Sequence, residues 1–94
     1  MNATRIVYRT HAIQRMFERQ ISEADVARVL ASGEVIEDYP ADYPYPSRLI
    51  LGWCGRRPIH VVAADNKGAT EMIVVTAYQP DKEEWQPDFK RRKQ

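Results

Sequence analysis

Between residues 11 and 20 the apolar positions Ala12, Ile13, Met16 and Phe17, with Gln20, recur three and four apart. That spacing predicts a helix with one side turned to a core. Thr10 stands ahead of it as the expected N-cap. Ser22 opens a second helix, with Asp25 three residues on in the manner of a capping box, and Val26, Val29 and Leu30 form its inner side. Gly33 is the expected left-handed C-cap. The two helices read as a hairpin with a very short joint. At Glu34 the period changes. Val35 and Ile36 begin a short strand, and residues 48–53, 57–64 and 71–78 read as three more, with turns at 54–56 and 65–68. Residues 39–47, rich in Tyr and Pro, form a loop that cannot join the centre of a sheet. Residues 5–8 suit either a first strand or an extended lead-in.

Strands joined by tight turns form an antiparallel meander. The expected fold class is therefore α+β: an N-terminal helical hairpin packed on one face of a three- to four-stranded antiparallel sheet. Pro80 ends the last strand, the segment to Phe89 is expected to pack back on the domain, and residues 89–94 to form a mobile basic tail. All 94 residues read as a single domain without repeats or linkers.

Composition narrows the class of function. At 44% hydrophobic and 29% charged residues the chain suits an ordinary globular domain. A domain this small buries only about 60–65% of its unfolded surface, which leaves little room for a large enclosed cofactor. The lone Cys54 excludes an internal disulfide and a Cys-rich zinc site, and a reducing cytoplasm is the expected location. No signal peptide or membrane-spanning run is expected. The net charge is +1, yet basic residues gather at Arg15 and Arg19, at Arg56 and Arg57, and from Lys90 to Lys93. Such patches can bind phosphates even when the total balances.

His11, Arg15 and Arg19 fall within about 80° of one another, away from the apolar side of the first helix. Most such stripes are solvated polar faces. The sharper reading is phosphate chemistry, with arginine forks on phosphate oxygens and a helix N-terminus that attracts anions; His11 is then a general base. His60, among strand hydrophobes, is more often a structural hydrogen-bonder; the sharper reading makes it the acid partner of His11 or a phosphate contact. Thr76 and Tyr78 lie two apart and share one face of a strand. Tyr78 can protonate a leaving oxygen or stack on a base, and Thr76 can bond a phosphate, although both residues also simply favour strands. Trp85 and the tyrosines of the 39–45 loop can stack on RNA bases, with core closure the plainer role. Arg48 and Lys67 are further candidate substrate contacts. With two histidines far apart and no third ligand at metal spacing, neither a metal nor a cofactor is expected.

Three stretches, residues 11–22 (His-Ala-Ile-Gln-Arg-Met-Phe-Glu-Arg-Gln-Ile-Ser), 57–62 (Arg-Pro-Ile-His-Val-Val) and 74–81 (Val-Val-Thr-Ala-Tyr-Gln-Pro-Asp), resemble in that order the domain-of-unknown-function family 4258. The resemblance covers nearly the whole chain. It implies a fold like that of barnase, EndoU, the colicin nucleases and RelE. It further implies an RNA-cleaving toxin, with RNA and an antitoxin of zinc-finger or helix-turn-helix type as partners. The residues matching its motifs are His11, Arg15, Arg19, His60, Thr76 and Tyr78. The expected activity is a metal-independent endoribonuclease attacking through the 2′-hydroxyl, with His11 as base and Tyr78 or His60 as acid. The alternative is a non-catalytic RNA- or protein-binding module of the same fold.

Overall fold

The computed structural model describes residues 4–94. In chain order it comprises β1 (Arg5–Tyr8), α1 (Thr10–Glu18), α2 (Glu23–Ser32), β2 (Glu34–Tyr39), β3 (Ser47–Cys54), β4 (Arg57–Asn66) and β5 (Glu71–Tyr78). A short 3-10 turn, Lys67–Ala69, joins the last two strands. The sheet is five-stranded and mixed, in the order β1-β5-β4-β3-β2. The expectation of three or four antiparallel strands is corrected here. Residues 5–8 form a true strand and pair parallel to β5, while the other pairings are antiparallel. Two helices and the rest of the sheet separate β1 from β5 in sequence, so no hairpin turn imposes an antiparallel approach.

Both faces of the sheet centre are covered, which is why β3 and β4 read as nearly continuous apolar runs. On one face Ala12 and Met16 of α1, Ile21, and Val26 and Val29 of α2 pack against Ile50, Ile59, Val61, Ala63, Val74 and Ala77. On the other, Leu49 and Leu51 form a smaller cluster with Trp85 and Phe89 from the chain after β5. The return of this segment to the domain was expected. Gln86 N–H donates to the Arg91 carbonyl (2.8 Å) and Lys93 N–H to that of Glu84 (2.8 Å). Lys90 reaches Glu34 (3.0 Å) and Arg92 approaches Glu37 (3.9 Å). These bonds and ion pairs link residues 90–93 to the segment after β5 and to β2.

The helix ends differ from expectation at three points. Thr10 is the first helical residue, and Arg9 holds the N-cap position without a side-chain cap bond. Helix α1 stops at Glu18 and turns through Gln20 at φ 57°; the Gln20 and Ile21 N–H groups bond the Phe17 and Met16 carbonyls, a Schellman arrangement. Gly33 has φ −76°, so it is no left-handed cap. Its necessity is steric: a Cβ there would lie 2.4 Å from the Val29 carbonyl oxygen, and 2.7 Å from both Ile50 Cγ2 and the Leu51 carbonyl oxygen. The capping box at α2 forms as expected, with Ser22 and Asp25 exchanging two 3.0 Å bonds. These bonds hold the Asp25 carboxyl below its ordinary range, the Ser22 N–H contributing most.

The apolar side of α1 is only half used. Ala12 and Met16, one turn apart, are buried, whereas Ile13 is 50% and Phe17 86% exposed. This helix lies along β5 at one side of the sheet, so a narrow stripe suffices to close the core; α2 sits over β3 and β4. No described helix is long and apolar enough to cross a membrane.

Candidate active site

The register of β3, β4 and β5 sets Leu51, His60 and Tyr78 side by side, and Leu49, Val62 and Thr76 in the next row on the same face. This is the face away from the helices. His60 is fully buried. Its Nε2 lies 2.8 Å from the Phe89 carbonyl and its Nδ1 3.2 Å from the Tyr78 hydroxyl. A carbonyl only accepts, so Nε2 carries the proton; in the neutral ring Nδ1 then accepts from the Tyr78 O–H. The ring is also held edge-on by Tyr78 (centroids 5.2 Å apart) and by Trp85 (4.5 Å).

Burial sets the charge state of this pair. Desolvation pushes the His60 pKa below its ordinary 6.5, and the nearby Arg92 guanidinium acts in the same direction, against the Phe89 carbonyl and Glu37. Burial likewise raises the Tyr78 phenol. The resting state is a neutral imidazole accepting from a protonated phenol.

Tyr78 opens into a surface cleft of about 440 Å³, lined by Arg19, Arg57, Tyr78, Gln79, Asp81, Glu84 and Trp85. Arg19 donates to the Ala77 carbonyl (2.9 Å) at the end of β5. Arg57 donates from Nη1 and Nη2 to the Gln20 and Arg19 carbonyls (2.7 Å each), and from Nε to Gln79 (2.8 Å), capping the last turn of α1. A guanidinium has five N–H donors, so spare donors remain on both arginines after these bonds. Two carboxylates share the cleft, and Asp81 Oδ1 is held by the Glu83 N–H (2.8 Å). Beside the pair, the Tyr39 hydroxyl donates to Glu37, which pushes the Tyr39 pKa up to about 12. Arg92 stacks 4.6 Å from the Trp85 ring.

Among the residues expected at a site, the structure thus brings Arg19, His60, Tyr78 and Trp85 together, with Thr76 one row away. Trp85 is 2% exposed and closes the core against His60; no face of it is open for stacking on a base. His11 and Arg15 lie on the exposed surface of α1, His11 about 12 Å from Arg19 along the helix axis. Arg15 pairs with Glu18 (3.2 Å). Arg48 pairs with Asp65 (3.6 Å), and Lys67 lies in the turn after β4. Arg48 stands opposite Ala63, about 10 Å from His60 along β4, and Lys67 lies about 23 Å away beyond the end of that strand. Arg57 and Glu84 were not singled out as site residues. Alternation along β4 puts residue 57 on the face opposite His60, and only the turn of its long side chain around the end of α1 brings it into the cleft. Cys54 is half-buried, and burial with the Asp25 charge raises its thiol pKa, an inert setting. Among the described residues, no cluster of three His, Cys, Asp or Glu side chains is placed to hold a metal.

Fold and cleft together define a small α+β domain that carries an arginine-lined cleft over a buried histidine–tyrosine pair. The family model described as Domain of unknown function (DUF4258) matches residues 8–79, from the end of β1 to just past β5. The chain belongs to this family. No curated protein and no solved structure matches it.

Proposed function

We propose that the protein is a metal-independent endoribonuclease, the toxin of a toxin–antitoxin pair, with an architecture related to that of RelE and barnase. The observation that carries this reading is the buried, neutral His60 accepting from Tyr78 at the floor of a cleft that holds two arginines. A neutral imidazole behind a phenol is a proton acceptor with the phenol as its outlet. The RNA 2′-hydroxyl gives its proton to the Tyr78 oxygen as the phenolic proton passes to His60 Nδ1. The imidazolium so formed keeps its Nε2–H on the Phe89 carbonyl. The 2′ oxygen bonds to phosphorus, the bond from phosphorus to the 5′ oxygen breaks, and that oxygen takes a proton from water at the open mouth. The hydroxide left behind takes up the proton that the His60 imidazolium returns through Tyr78, which restores the neutral pair. The products are a 2′,3′-cyclic phosphate and a 5′-hydroxyl end. The spare donors of Arg19 and Arg57 stabilise the charge on the pentacoordinate phosphate. In this arrangement the base is the Tyr78–His60 pair in place of His11. His11 and Arg15 instead hold the incoming RNA backbone along the outer surface of α1.

The test is cleavage of a mixed-sequence RNA by the purified protein in excess EDTA, beside Arg19→Ala and Tyr78→Phe. Wild-type cleavage leaving 5′-hydroxyl ends is expected, and loss of Arg19 should cost on the order of 10²–10³ in rate. If the wild type cuts nothing, alone or with ribosomes added, the enzyme reading falls. RNA binding at low salt without product would then mark a binding module.

A further inference from the structure

A second pocket, of about 220 Å³, lies where β1 leads into α1 and the 39–46 loop crosses the sheet. It is lined by Arg9, Asp42, Tyr43, Pro44, Tyr45 and Ser47, with Ala64 and Val75 beneath. Ala64 is four residues from His60 on β4, so the pocket sits about 13 Å from the Tyr78–His60 pair, the span of one or two extended nucleotides.

We propose that this pocket is a nucleobase subsite for single-stranded RNA and that guanine is its preferred occupant; the proposal rests on the RNA reading of the neighbouring cleft. At liquid density the volume equals that of about seven waters, room for one planar ring system. The aromatic Tyr43, 95% exposed, and Tyr45 supply faces on which an unstacked base can lie. Among the described residues Arg9 has no ion pair and no side-chain hydrogen bond. The Tyr45 hydroxyl accepts from Asn66 Nδ2 (3.1 Å), which leaves its own proton to donate. Asp42 accepts from the Ser47 hydroxyl through Oδ2 and keeps further acceptor capacity. A fork donor and a carboxylate acceptor in the lining of one aromatic-walled pocket select among the bases. Guanine alone offers two neighbouring acceptors, O6 and N7, to an arginine fork and two neighbouring N–H donors to a carboxylate. Adenine, cytosine and uracil each satisfy one side at most in this two-pronged way.

The experiment titrates guanosine, adenosine, cytidine and uridine 5′-monophosphates separately into the full chain, followed by amide chemical shifts. Guanosine monophosphate should shift resonances around Arg9, Tyr45 and Ala64 and bind at least about tenfold more tightly than the others. Arg9→Ala should remove about tenfold of that affinity, and Asp42→Asn should narrow the preference for guanine. Arg9 is exposed, so its loss leaves the core intact. Equal affinity for the four nucleotides, or shifts confined to the Tyr78 cleft, would overturn the subsite. RNA cleavage without base preference and indifferent to Arg9→Ala would overturn it too, with the nuclease reading intact. Selective guanosine monophosphate binding by a protein that cuts no RNA would uphold the subsite and sink the nuclease.

Discussion

Replacing Tyr78 with Phe isolates one oxygen atom whose loss is felt in two ways. The ring remains, and with it the edge contact to His60 at 5.2 Å. What disappears is the donor to His60 Nδ1, on a side chain with 0% exposure and, among the described residues, no other partner for that nitrogen. An acceptor left unsatisfied in the interior costs about 1–3 kcal/mol. Half-buried Tyr78 gives back little, because its hydroxyl loses only partial desolvation in the exchange. Urea unfolding at pH 7.5 should therefore show a loss of about 1–3 kcal/mol with an unchanged denaturant slope. If the pair is also the proton acceptor, RNA cleavage should fall by about 10²–10⁴, far more than the change in folded fraction. The pH dependence separates packing from chemistry. The Tyr78 bond favours the neutral ring, so its removal should move the His60 pKa back up toward the ordinary value and carry any acid limb of activity with it. A variant as stable as wild type with an unmoved pH profile would refute the argument.

Three further outcomes follow from the same geometry. His60 has a folded pKa below 6.5, so the unfolded chain binds its proton first; stability should be full above pH 6.5 and fall as pH drops below it, by at most about 1.4 kcal/mol per pH unit. His60→Gln should flatten that fall in thermal scans, whereas the lowered Asp25 and Asp88 carboxyls act only below their ordinary 3.8. Gly33→Ala gains about 0.4–1 kcal/mol from a stiffer unfolded chain, but it drives a Cβ onto two backbone oxygens that cannot rotate away; a net loss of about 2 kcal/mol in urea is expected, and a neutral result would refute the close approach. Gln20→Gly relieves a left-handed backbone in the joint between the helices and should raise stability by about 1 kcal/mol, measured the same way.

Local chemistry made much of this protein legible in its sequence. The Ser22–Asp25 box fixes the start of α2 because both bonds close within four residues. Apolar runs separated by turn residues locate β3, β4 and β5, and membership of the family follows from motifs that keep their order along the chain. Alternation alone places Thr76 and Tyr78 on one face. Tertiary structure decided the rest. A shift of one residue in register turns a strand over, and the register of β4 on β5 depends on a bulge that leaves Val75 without a partner; no local signal marks it. That bulge allows His60 to face Tyr78. The parallel seat of β1, the reach of Arg57 around α1 and the return of Trp85 and Phe89 over His60 all join residues far apart in the chain. Sequence spacing settles which side of its own element a residue occupies; only packing settles what stands opposite, and a site for proton transfer is defined by what stands opposite.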